Sequence, residues 1–302
     1  MIISSSPGQT SDQDGQPAPE LGAGDAQFSD DILVKQQQER IVGNTTHEND
    51  TDDVPPTTIE THLLALEVGE IKSITVNTSN AAIDIEPHDA AQIIVTAEGN
   101  EPFATTALEV RAKEKSVSIS FQHRRLAGLV WKTQPSVRLK IKVPRYFSAT
   151  VLSKSGEVSV SDLTGSVSVS SSTGDVTLQQ LSGNLRVEST SGNIEGQCPS
   201  ASMKIASRSG NINIKDLSGS LTCRAMRGDT TLEWKISPSN AKINIRSDHR
   251  PVTLIMPPET KMNYRFITSA TAIMNEFPQF NDSNLLLRII SKRGPLSIRK
   301  RL

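Results

Sequence analysis

The sequence predicts an all-β fold: a single-stranded β-solenoid (β-helix) of about 18 residues per coil and roughly eight coils, behind a disordered acidic N-terminal segment. Three observations carry this prediction. Glycine recurs at Gly156, Gly174, Gly192, Gly210 and Gly228, a spacing of 18. Between these glycines apolar and polar residues alternate with a period of two. A column of small hydroxyl residues keeps the same 18-residue beat.

A second glycine falls midway, at Gly165, Gly183 and Gly219, with Ala201 in the remaining slot, so each unit is two nine-residue halves. Each half reads as a strand and a tight turn. Two and four residues after each first glycine come Val158/Val160, Val176/Leu178, Ile194/Gly196, Ile212/Ile214 and Thr230/Leu232. Eleven and thirteen residues after it come Val167/Val169, Leu185/Val187, Met203/Ile205 and Leu221/Cys223. The sites between are polar, from Glu157 and Ser159 to Thr231 and Glu233. Strict alternation is the signature of a half-buried strand, not a helix. A third inward site is expected at the corner, at Leu163, Leu181 and Leu217, with Pro199 in the odd coil. Ser153, Ser171, Ser189 and Ser207, then Ala225, stand three residues before the glycines. Stacked about 4.8 Å apart, their hydroxyls would satisfy turn backbone groups or bond along the stack. Glycine permits positive φ in the turn that follows.

The pattern continues beyond the regular coils, which span 156–235. After a four-residue insertion following Ile236 it resumes at Ile243, Ile245, Ser247, Val252 and Leu254, and again at Leu287, Ile289, Ser291, Gly294, Leu296 and Ile298. Upstream, Ile74, Val76, Thr78, Ile83 and Ile85 fit it, as do Leu108, Val110, Val117 and Ile119. Val137, Leu139, Ile141 and Val143 make another alternating strand. The solenoid domain is therefore placed at 58–302, with irregular capping coils at both ends. A hexapeptide helix shares the 18-residue coil but repeats every six residues; the nine-residue half favours two opposed sheets. A β-sandwich has no reason to hold one register over five units.

Residues 1–57 hold eleven acidic and two basic residues, and the remainder 22 and 30. The segment is rich in Ser, Asp, Gln, Gly, Pro and Thr, too poor in apolar surface to offset the cost of ordering, and is expected to be disordered. Its one apolar run, Ile32-Leu33-Val34 with the Gln-rich stretch to Ile41, reads as a transient patch, a marginal helix or a docking peptide. The body's charge is dilute and aromatic residues make up only 4% of the chain, so no nucleic-acid partner is expected. No secretory signal and no apolar run of membrane-spanning length is visible, which points to the cytoplasm. Two cysteines, Cys198 and Cys223, give no disulfide framework.

The runs Ser155-Gly156-Glu157-Val158, Thr173-Gly174-Asp175-Val176, Ser191-Gly192-Asn193-Ile194 and Ser209-Gly210-Asn211-Ile212 resemble the DUF4097 family, bacterial solenoids of the adhesin type. The strand Leu139-Lys140-Ile141-Lys142-Val143-Pro144 and the turn Ser291-Lys292-Arg293-Gly294-Pro295-Leu296 are similar to that family as well. The resemblance covers about 65–300. It implies a β-solenoid with no established catalytic residues, in a family some of whose members are surface proteins or belong to envelope stress systems; no cofactor is expected.

The function expected is thus a non-catalytic structural or binding protein that presents a rigid surface to a protein or envelope component, with end-to-end self-association through open solenoid ends as a further expectation. The alternative is a carbohydrate-active enzyme, a polysaccharide lyase or hydrolase, working on a β-helix face; its acids would be Glu157 and Asp175 in the column Glu157, Asp175, Asn193, Asn211, Asp229. Asp and Asn also simply suit the residue after a turn glycine, and amides dilute the carboxylates. The histidines His47, His62, His88, His123 and His249 are scattered and make no metal spacing. The informative irregularity is the insertion 122–135, with Arg124, Arg125, Trp131 and Lys132 as binding candidates, since loops on a repeat scaffold carry recognition and Trp and Arg anchor interfaces. The same loop reads equally as a lid, with Leu126, Val130 and Trp131 covering one flank. The next strand turns Arg138, Lys140 and Lys142 outward, either a basic stripe for an acidic partner, anionic lipid headgroups or the chain's own acidic tail, or a plain solvated face.

Overall fold

The computed structural model describes residues 39–43, 59–99, 106–123, 137–199, 202–269 and 272–302. In chain order the strands are β1 (Glu39–Gly43), β2 (Ile59–Glu67), β3 (Ser73–Thr78), β4 (Ala82–His88), β5 (Gln92–Gly99), β6 (Thr106–Lys113), β7 (Ser116–His123) and β8 (Val137–Pro144). The regular part holds β9 (Ser148–Ser153), β10 (Val158–Ser161), β11 (Val167–Ser171), β12 (Val176–Gln179), β13 (Asn184–Ser189), β14 (Ile194–Gln197), β15 (Ser202–Ser207), β16 (Ile212–Leu217), β17 (Ser220–Ala225) and β18 (Thr230–Trp234). It closes with β19 (Lys242–Ser247), β20 (Val252–Met256), β21 (Asn263–Thr268), β22 (Ile273–Asn275), β23 (Leu286–Ser291) and β24 (Leu296–Lys300). They form a 13-stranded sheet, sheet A, and an 11-stranded sheet, sheet B.

From β9 to β20 the chain does what the period predicts. Successive strands enter sheet B and sheet A alternately, and each pairs in parallel with its counterpart one coil on. Val158, Val176, Ile194 and Ile212 stand in one column, Val167, Leu185, Met203 and Leu221 in another. The four-residue insertion is absorbed at a corner, so Leu221 still meets Ile243 and Thr230 meets Val252. The inward columns are buried and join one core that runs from Leu64 to Ile298. Each fully buried Val, Leu or Ile stabilises this stack by about 1.5–3 kcal/mol.

The small residues have specific work. Ser171, Ser189 and Ser207 each donate from Oγ to the carbonyl three residues on, Gly174, Gly192 and Gly210, at 2.7 Å, and Ser291 does so to Gly294 at 2.8 Å. Of the two roles expected for the hydroxyl column, this is the turn-satisfying one. The glycine column differs from the expectation: within it only Gly156 has positive φ (118°). The others are required by close approach. A Cβ on Gly174, Gly192, Gly210 or Gly228 would lie 1.8–2.0 Å from the carbonyl oxygen of the glycine one coil before.

The corners also differ in one coil. Asp162, Gln180 and Asp216 take the left-handed conformation at φ 51–61°, which swings Leu163, Leu181 and Leu217 inward. In the odd coil Cys198 fills the core slot and Pro199 is exposed. A residue before proline is pushed to extended backbone, so Cys198 turns its side chain in where its counterparts turn out.

At both ends the rungs are not stacked in chain order. In sheet B the order runs β6-β7-β3-β9, and in sheet A β5-β8-β4-β10, so the β3–β4 rung lies between β7–β8 and β9–β10. At the other end β23–β24 lies between β19–β20 and β21–β22. Of the eleven strands of sheet B, all but β6 pair in parallel on their inner side, which makes ten rungs where the sequence suggested about eight coils. Leu108 and Val110, expected in a coil, sit on β6, antiparallel to β7. On the sheet A side β5 caps β8 antiparallel, β2 caps β5, and β1 caps β2. Strand β1 lies inside the segment expected to be disordered, at its Arg40-Ile41-Val42 run; the rest of 1–57, including Ile32-Leu33-Val34, lies outside the described residues. No helix among the described residues is long and apolar enough to cross a membrane, which says nothing of spanning strands.

Candidate binding surfaces

Of the predicted contact residues, Arg124, Arg125, Trp131 and Lys132 lie outside the described residues, in the connection from β7 to β8. Arg138, Lys140 and Lys142 point outward from β8 and are exposed. They are flanked by carboxylates of the neighbouring strands β4 and β5. Arg138 donates to Asp84 at 2.6 Å, and that hydrogen bond and charge raise the guanidinium pKa above its usual value. Lys140 reaches Glu98 at 3.0 Å, and Lys142 is in register with Glu86. The stripe is thus one row of a mixed-charge sheet face.

The acidic column on sheet A's turn is bound into the backbone. Asp175 accepts the amide N–H of Asn193 at 2.7 Å, Asn193 that of Asn211 at 3.0 Å, and Asn211 that of Asp229 at 2.9 Å. Asp229 in turn accepts from Arg250 at 2.7 Å. Beside it a shallow depression of about 230 Å³ gathers Asp84, Glu157, Asp175 and Glu195. Among the described residues no group of three or more His, Cys, Asp or Glu is placed to hold a metal. Cys198 and Cys223 are free and buried, and burial pushes both thiols up to about 12. Asp248, buried in the β19–β20 turn, has its ionisation opposed by that burial; Lys292 at 3.2 Å, with Arg246 and His249, outweighs this and holds its pKa below the ordinary carboxylate value.

The sequence reading passed over the outer face of sheet B. There one outward column runs Thr150, Ser168, Arg186, Lys204 and the next Leu152, Ser170, Glu188, Ala206, Arg224, so basic side chains enter the face from β13 onward. Two open troughs of about 460 and 400 Å³ lie on this face, the first beside Ser168, Arg186 and Lys204, the second beside Ser170, Glu188 and Arg224. The signal was available: sites twelve and fourteen after each repeat glycine read Ser168/Ser170, Arg186/Glu188, Lys204/Ala206 and Thr222/Arg224.

Residues 71–283 match the family model described as Toastrack DUF4097. No curated protein matches the chain. Among solved structures, a "putative adhesin" of Bacteroides fragilis is similar at 13% identity, over 80% of this chain and 97% of that one, with a TM-score of 0.48. A "putative lipid binding protein" of Parabacteroides distasonis has 13% identity over 80% and 97%, with a TM-score of 0.40. A "putative cell adhesion protein" of Clostridium sporogenes has 12% identity over 80% and 100%, with a TM-score of 0.30. With most of its solenoid matched by that model, the chain belongs to the DUF4097, or Toastrack, family.

Proposed function

We propose that this protein is a non-catalytic scaffold whose solenoid, 58–302, holds rigid sheet faces and the β7–β8 connection towards a protein or envelope component, with 1–57 as an appended acidic segment. The observation that carries this reading is how the repeat uses its polar groups. The serine hydroxyls are spent on turn carbonyls and the Asp/Asn side-chain oxygens on backbone amides of the next coil. These columns make the coils rigid and leave the remaining outward side chains free for display. Arg124, Arg125, Trp131 and Lys132 supply the recognition chemistry of the connection, and Lys142 extends it onto β8.

The test has two arms. Arg124→Ala/Arg125→Ala and Trp131→Ala are expected to reduce capture of an envelope fraction while the circular dichroism spectrum stays unchanged; indifference to both removes the connection from the reading. Incubation with a panel of acidic and neutral polysaccharides, with and without calcium, is expected to give no turnover. Turnover abolished by Glu157→Gln or Asp175→Asn would overturn the non-catalytic reading.

A further inference from the structure

We propose that the outer face of sheet B, from β13 to β21, docks on an anionic phospholipid surface. The proposal rests on the scaffold reading but not on the β7–β8 connection. The outward positions of β13, β15, β17, β19, β23 and β21 carry seven Lys or Arg residues and one carboxylate, Glu188. Parallel register sets the cations directly against one another. Arg186 faces Lys204, Arg224 faces Arg246, and Arg288 faces Arg265, each pair about 4.8 Å apart along the stack.

Like charges directly opposite destabilise a sheet. A face that needs only to be wetted has no use for three such pairs, and sheet A shows the ordinary arrangement, with Arg138 on Asp84 and Lys140 on Glu98. Here relief is scarce. Arg186 meets Glu188 on its own strand and Arg246 comes within 3.7 Å of Asp248. Lys204, Arg224, Lys242, Arg265 and Arg288 are exposed and have no carboxylate partner among the described residues. The adverse pairs are relieved when an external anion covers them.

Two further features select lipid over a linear polyanion. The charges spread over three columns and six strands of a sheet face, where a single polymer strand would ask for one line. Aliphatic side chains also stand among them: Leu286 is 44% and Ile267 41% exposed, next to Arg288 and Arg265. Cations around aliphatic side chains suit the headgroup and acyl boundary of an anionic bilayer. None of the outward positions on these strands is aromatic, as base stacking on a single-stranded nucleic acid would need.

The experiment is flotation of the full chain with vesicles of phosphatidylcholine alone and of phosphatidylcholine with phosphatidylglycerol at about three to one. Binding is expected to the anionic vesicles only, and to be released in about 1 M salt, where the screening length falls to about 3 Å. Each cation near such a surface strengthens binding about fivefold, so Arg224→Ala/Arg246→Ala is expected to weaken it roughly 25-fold. Ile267→Ser/Leu286→Ser is expected to weaken it as well, and Lys215→Ala, on sheet A, to leave it unchanged. Equal binding to both vesicle types, no binding, or binding that survives either double variant overturns the proposal. So does retention on heparin without vesicle binding, which assigns the face to a linear polyanion. All these substitutions are on exposed side chains, and an unchanged melting curve excludes unfolding as the cause.

Discussion

Gly192→Ala is expected to destabilise the solenoid by about 3–6 kcal/mol, although the substitution adds one methyl group to a backbone conformation open to any residue. The added Cβ would lie 2.0 Å from the carbonyl oxygen of Gly174 and 2.5 Å from its carbon. A comfortable carbon–oxygen contact is about 3.3 Å or longer, so the coils must separate locally by more than 1 Å. Three hydrogen bonds pin them at this point: the Ser191 amide to the Ser172 carbonyl at 2.9 Å, the Asn193 amide to Asp175 at 2.7 Å, and the Val176 amide to the Asn193 carbonyl at 2.8 Å. Stretching each one costs about 1 kcal/mol, and up to about 3 where a buried partner is left unsatisfied. The sum is a large share of a domain stability of about 5–15 kcal/mol. Urea unfolding followed by far-ultraviolet circular dichroism measures it. The control is Gly69→Ala, where φ is +48° but no atom lies within 4 Å; left-handed backbone alone costs about 1–2 kcal/mol. A Gly192→Ala loss no larger than the Gly69→Ala loss refutes close approach as the reason for the glycine column.

Four other outcomes are expected. Ala225→Ser is expected to stabilise by about 0.5–1.5 kcal/mol, because the new hydroxyl occupies the slot from which Ser207 donates to Gly210; urea titration reads it. Trp234→Ala, at a fully buried corner, is expected to cost about 3–5 kcal/mol by the same assay. Cys198 and Cys223, with thiols held near 12, are expected to react with a disulfide reagent at neutral pH only as fast as the protein opens, and at once in denaturant. Because the Asp248 pKa is depressed on folding, its contribution is complete above the unfolded carboxylate value and is lost as pH falls through the folded one. Asp248→Asn is accordingly expected to flatten the acid limb of a stability–pH profile, and an unchanged limb would show that Lys292 and Arg246 do not govern it.

The regular coils were legible because their information is local and repeated. Val158, Val176, Ile194 and Ile212 each sit two residues after a glycine, and parallel stacking needs nothing more than equal spacing. The end rungs were not legible for the same reason. Alternation in β6 or β23 says which side chains turn inward, but not which strand lies alongside or in which direction. Leu108 and Val110 therefore looked like one more coil while standing on an antiparallel cap. Cys198 shows a smaller gap: the repeat register pointed to Pro199, and only the backbone restriction ahead of proline moves the inward side chain by one. The basic face was missed because the columns were read for their apolar members, whereas Lys204 and Arg224 lie on the polar ones.

The exchanged order of the last rungs bears on how the molecule is made. A solenoid stacked in strict succession can add each rung as it leaves the ribosome. Here β21 and β22 emerge with no neighbour to join, since their partners are β23 and β24. The nascent chain must hold some thirty residues in waiting until the final two strands slide into the gap, and those late strands then act as the keystone of that end.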